Sequence, residues 1–206
     1  MKVNVKKARV AERRLRIVVQ EEKTVEYIQA LGCQFCRDLR RFGKVRLNRL
    51  IRGAYEEMTD YYEHYGGDAL EDGLKPDNIP YLYVGLRNQV NALDVPIEKI
   101  EEEHELSPDF QTEWRPPHDR IIRQNRWEET ERVQKMVRSF WYCMMLHLWH
   151  RYNWGQVRLT RFYTTVLARY SATMNRYLSC KAEADALAAK EIDETVGAIK
   201  RIGVKL

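Results

Sequence analysis

One short pattern occurs twice in this chain, and it constrains the fold more than anything else. Phe42-Gly43-Lys44-Val45-Arg46-Leu47-Asn48-Arg49-Leu50 and Trp154-Gly155-Gln156-Val157-Arg158-Leu159-Thr160-Arg161-Phe162 share Gly, Val, Arg, Leu and Arg in order and spacing. An aromatic residue precedes each Gly, and a large apolar residue closes each copy. Each copy also follows one amphipathic stretch and precedes another. Repeated sequence at matching places means repeated structure. The chain is therefore expected to be mainly α, a helical bundle from two helix–turn–helix repeats with an irregular acidic insertion between them.

The periodicity supplies the helices. Val25, Ile28, Leu31, Phe35, Leu39 and Phe42 recur at three- and four-residue steps, which predicts an amphipathic helix over 24–41 with Thr24 as its N-cap. It either begins there or extends upstream into 9–20; Val3–Val5 or Leu15–Val19 reads equally well as a short strand. Gly43 is expected to take the left-handed conformation that closes this helix. A second helix follows over 44–64, with Leu47, Leu50, Ile51, Ala54, Met58 and Tyr61 on one stripe, and Gly66-Gly67 ends it.

Residues 66–80 contain three Gly, two Pro and several Asp and Asn and read as a loop, and 66–117 as a whole reads as the least regular part. Within them, 81–93 predicts a short helix, and 97–106 a polar, acidic one starting at Pro96. A long helix resumes near Asp119, Gly155 breaks it, and a second runs through Leu159, Phe162, Tyr163, Val166 and Tyr170. An Ala-rich helix over 182–202 ends at Gly203. The division expected is 1–65, the basic N-terminal segment with the first repeat; 66–117, the insertion; and 118–206, the second repeat with the last helix. One shared core is expected, because each helix pair alone has little apolar surface.

Charge is segregated. Residues 1–20 carry Lys2, Lys6, Lys7, Arg9, Arg13, Arg14 and Arg16 against Glu12, while 60–113 oppose their acids with Lys75, Arg87 and Lys99 only. From Trp114 to Lys181 the balance is basic again and rich in Arg. Basic zones suit phosphate or an acidic protein surface, and the acidic middle suits a basic groove on a partner. No apolar run approaches the roughly 18 residues of a membrane span, and no signal peptide is visible, so the expected compartment is the cytoplasm.

The paired arginines keep a functional reading open. Arg46/Arg49 and Arg158/Arg161 lie three apart, so each pair shares a helix face near an N-terminus, where anions are favoured. With Arg40, Arg41, Lys44, Arg52, Trp114 and Trp127 they are the candidate nucleic-acid or partner-binding residues. The alternative is structural: salt bridges to Asp38, Glu56 or Glu57. Aromatics interleaved with Arg suit single-stranded nucleic acid, but only Trp114, Trp127 and Tyr152 fall off the core stripes.

Cys33-x-x-Cys36 and His147-x-x-His150 have metal-ligand spacing, and they would meet if the repeats pair. Buried thiols and interfacial imidazoles are the alternative, and no cofactor is expected. His104 among Glu101, Glu102, Glu103 and Glu105 reads as a solvated acidic face. No phosphate-binding glycine loop, metalloprotease motif or nucleophile elbow is present, so no catalytic residue is assigned.

The aromatic-Gly-x-x-Arg-Leu unit, and Tyr152 to Phe162 above all, resembles small helical proteins of Firmicutes prophages and mobile elements. The resemblance covers the two helix pairs and brings no catalytic residues. It implies a bacterial host cytoplasm and a non-enzymatic protein that engages a nucleoprotein complex, most concretely an anti-CRISPR-type inhibitor of an RNA-guided nuclease. A DNA-binding regulator, or an assembly protein that oligomerises through its repeats, are the alternatives.

Overall fold

The computed structural model describes residues 5–65, 79–104, 117–178 and 182–206, and the side chains of 23–61, 63–64, 82–104, 134–177 and 183–206. The described residues form seven helices and no strand: α1 (Val5–Arg40), α2 (Lys44–Tyr65), α3 (Ile79–Asn91), α4 (Ile97–Glu103), α5 (Pro117–Tyr152), α6 (Gln156–Leu178) and α7 (Ala182–Arg201). The chain is a mainly α helical bundle. None of these helices is long and apolar enough to cross a membrane.

α1 and α5 have 36 residues each, and α2 and α6 have 22 and 23. The pairs cross over: α2 packs along α5 and α1 along α6, while α7 lies against α1 and α6. A single cluster of buried apolar residues runs from Tyr27 in α1 to Val204 beyond α7. Leu47 and Leu159, the repeated leucines, are fully buried. Burial of one such side chain is worth about 2 kcal/mol.

α1 starts far upstream of Thr24, so Thr24 is no N-cap and Leu15–Val19 is helical. No glycine precedes Gly32 and no proline interrupts α1, and its Ala, Arg, Lys, Glu and Gln residues favour helix. The β-branched run at 17–19 is too short to override them. α4 stops at Glu103, before the expected Leu106. Gly203 ends α7 as expected, with a φ of 79° and its N–H on the Lys200 carbonyl at 2.8 Å.

The repeat turns correct one expectation. The left-handed residues are Arg41 and Asn153, each with a φ of 52°, and not the glycines that follow two positions later. Arg41 N–H donates to the Arg37 carbonyl at 2.8 Å, and Phe42 N–H reaches back to Cys36 at 3.4 Å. The second copy repeats both bonds: Asn153 to Trp149 at 3.1 Å and Trp154 to Leu148 at 3.2 Å. This satisfies carbonyls left over at the helix end. Gly43 and Gly155 then act as N-caps, their carbonyls accepting from Leu47 at 3.1 Å and Leu159 at 3.2 Å.

An arginine in the left-handed region is strained by about 1–2 kcal/mol, part of which glycine would return as lost chain entropy. Arg41→Gly is therefore expected to stabilise the protein by about 0.5–1 kcal/mol, a rise in Tm of roughly 1–3 °C in a thermal melt. Asn153→Gly should gain less, because asparagine tolerates this conformation.

Candidate functional site

The two turns meet at one end of the bundle. Phe42 and Trp154, equivalent in the repeat, lie with ring centroids 6.1 Å apart, and Phe42 also packs on Tyr152 at 4.9 Å. Both are buried, and Phe35 seals them from below, 6.4 Å from Trp154 and 5.4 Å from Phe162. The turn aromatics thus form the floor that fixes α1–α2 to α5–α6. Charge rises from that floor. Arg46 stacks over Phe42 at 5.7 Å, and Arg46 and Arg49 both act on the Tyr152 phenol at the end of α5. Burial nevertheless pushes that phenol up. Arg161 lines a cleft of about 300 Å³ between α1 and α6, beside Asp38 and Leu39.

Arg40, Arg41, Lys44, Arg46, Arg49, Arg158 and Arg161 are all exposed. None forms an ion pair with a described residue. The acids that offered an alternative are taken elsewhere: Asp38 pairs with Arg37 at 3.4 Å, Glu56 with Arg52 at 3.2 Å, and Glu57 with His150 at 3.0 Å. Among the described residues, Arg52 is therefore the one cationic candidate in an ion pair. Between 37 and 52 the only acid is Asp38, and residues 132–182 contain none. Opposing charge is sparse along the segments that build this end.

The remaining candidates fall elsewhere. Trp114 lies outside the described residues. Trp127 is in α5, with its side chain outside them. Trp149 is 38% exposed, and Tyr152, off the core stripes as expected, is half-buried against Phe42 and His147. The side chains of the basic N-terminal stretch also lie outside the described residues.

The structure does not gather Cys33, Cys36, His147 and His150 into a metal site. Among the described residues no group of three or more His, Cys, Asp or Glu is placed to hold an ion. Cys33 and Cys36 are buried, and burial pushes the Cys33 thiol up to about 12 and Cys36 well above its ordinary value. Buried thiols at such values are inert. His147 and His150 turn instead toward Glu57 on α2. The His147 ring occupies the space beside Gly53, where a Cβ would stand 2.0 Å from it. Burial lowers the His147 pKa, and the Glu57 carboxylate opposes that shift.

A second polar centre was not legible in the sequence. Glu101, expected on a solvated face, is 7% exposed. Its Oε1 accepts from the hydroxyls of Tyr142 and of Tyr163, the latter at 2.6 Å. Its Oε2 accepts from Tyr83 at 2.9 Å and faces Arg138 at 3.3 Å and Arg87 at 3.5 Å. The donors come from α3, α5 and α6, so one carboxylate ties α4 to all three. Burial, then the neighbouring phenol and Glu101, hold Tyr142 far above the ordinary phenol range; burial and Glu101 do the same to Tyr163. Burial, the largest influence, works against the Arg138 charge, but Glu101 together with the Tyr163 and Tyr83 phenols outweighs it, and the pKa is raised. Three hydroxyl hydrogen bonds and two guanidinium ion pairs thus converge on one carboxylate. The arrangement is a clamp.

This clamp changes the meaning of the acidic middle. Leu82, Leu86, Val90, Val95, Ile97 and Ile100 are buried, so α3 and α4 belong to the core. Of the acids around α4, Glu98 faces Arg87 at 3.6 Å and Glu103 faces Lys99 at 4.0 Å. His104 gives its carbonyl to Ser171 at 2.8 Å. Comparison with protein families, with curated proteins and with solved structures finds no match to this chain.

Proposed function

We infer that this chain is a non-enzymatic binding protein that holds nucleic-acid phosphates on its twin-turn face, as bare nucleic acid or within a nucleoprotein complex. The observation that carries the reading is the set of exposed cations from both repeat copies that make no ion pair with any described residue. An arginine retained for stability would be expected to find a carboxylate; here the nearby carboxylates serve other partners. Guanidinium groups with unused planar donors suit phosphate oxygens, and a surface where cations outnumber acids steers polyanions toward it. Self-association through this face is disfavoured by like charge, which argues against the assembly reading.

The resemblance of the turn motif to prophage and mobile-element proteins supplies a setting: a bacterial host cytoplasm, and a nucleoprotein target such as an RNA-guided nuclease. A DNA-binding regulator is the simpler version of the same chemistry.

The test is fluorescence anisotropy with a labelled nucleic acid across a salt series. The expected result is affinity that falls steeply with salt, because each phosphate contact releases counterions, and weakening by Arg46→Ala or Arg158→Ala. Affinity no greater than that of a neutral control protein overturns the reading. Inhibition of guided cleavage on adding the protein selects the nuclease version; unchanged cleavage removes that version alone.

A further inference from the structure

The two repeat copies expose the same residues twice. Val45 is 61% exposed and Val157 79% exposed, at equivalent places in the first turn of α2 and of α6. An exposed valine in a helix adds nothing to the core and is a poorer helix former than alanine or lysine. The arginine after each valine and the one three residues further on are exposed as well. The other shared side chains have packing reasons: the aromatic and the leucine are buried in both copies. What the repeat keeps on its surface is Val-Arg and then Arg.

The copies are related by exchange. α1 packs on α6 as α5 packs on α2, and two residues sit against their own counterparts. Phe42 meets Trp154, and the Gly32 backbone is covered by Met144. Contacts between counterparts lie on an approximate twofold axis, and the Phe42–Trp154 contact sets that axis at the basic end. The exposed pairs therefore stand on either side of a local dyad.

Resting on the phosphate-binding reading, we propose that the partner is a nucleic-acid duplex bound astride this dyad. Arg46 and Arg49 take one backbone, Arg158 and Arg161 take the other, and Val45 and Val157 pack on the sugar edges between them. A duplex has dyads that relate its two antiparallel strands, and twofold proteins match them. A single strand has none, and would engage one copy at a time. Two clusters of like charge, held apart by a rigid aromatic floor, complement two backbones on either side of a groove.

The experiment compares a 24-base-pair duplex with each of its strands, labelled alike, at one fixed salt concentration. Wild type, Arg46→Ala, Arg158→Ala and the double variant are measured. All substitutions are at exposed positions, and circular dichroism checks the fold. The expected result is duplex binding at least about tenfold tighter than either strand. The two single variants should weaken the duplex by the same factor within about twofold, and the double variant by roughly the product. Equal affinity for duplex and strand overturns the dyad, as does an effect confined to one of the two arginines. Either outcome leaves the phosphate reading standing; absence of binding to every probe removes both.

Discussion

Glu101→Ala is expected to destabilise the protein by about 3–5 kcal/mol, the range for removing one member of a buried ion pair. The substitution deletes the acceptor for three phenol groups and the counter-charge of Arg138 and Arg87. The Nε atoms of Arg87 and Arg138 already have no hydrogen-bond partner among the described residues, so the site has little slack with which to absorb the loss. Glu101→Gln keeps the shape but removes the charge, and should fall between wild type and Ala. Chemical denaturation followed by far-UV circular dichroism measures both. A cost below about 1 kcal/mol for Glu101→Ala would show that the clamp contributes little; cooperative loss of α4 together with the bundle is the expected signature.

Trp154→Ala should be equally severe, at about 3–5 kcal/mol. Trp154 is 2% exposed and touches Phe35 and Phe42, so it links the second turn to both the α1 stripe and the first turn. Its loss opens a cavity where the two repeats meet. Trp154→Phe, which matches the first copy, should recover most of the loss. The same denaturation curves give the result, and because Trp154 holds the floor beneath the arginines, Trp154→Ala should weaken nucleic-acid binding as well.

Sequence alone showed the parts of the fold that rest on local pattern. The repeat, the stripe from Leu47 to Tyr61, the burial of Leu159 and the stop at Gly203 all follow from spacing and from one residue's conformational preference. The turn was half legible. Gly43 reads as the left-handed residue that closes α1 and Gly155 as a helix break, but the left-handed positions are Arg41, whose residue type gives no sign of it, and Asn153, whose type merely tolerates it. The Glu101 clamp was hidden for a different reason. A glutamate within Glu101-Glu102-Glu103-His104-Glu105 reads as solvated, and its partners Tyr83, Tyr142, Tyr163 and Arg138 are far apart in sequence. Only the packing of α3, α4, α5 and α6 brings them together. Likewise Cys33-x-x-Cys36 and His147-x-x-His150 share a spacing, but Glu57 on α2, not the thiols, faces the imidazoles. The candidate arginines were legible as a repeated pair. That their nearby acids were engaged elsewhere became visible only with the ion pairs assigned.

The twin-turn face is the centre of this account, and one measurement tests it most directly: the salt dependence of duplex binding by the wild type and by the quadruple variant Arg46→Ala, Arg49→Ala, Arg158→Ala, Arg161→Ala. The side chains are exposed, so the variant should melt within about 2 °C of wild type, as surface substitutions usually do. Each lost phosphate contact lowers the slope of log K against log salt by about one, so the slope should become shallower by about three to four. Affinity at low salt should fall by a factor on the order of a hundred or more. A folded quadruple variant with unchanged affinity and slope would contradict the assignment of this face.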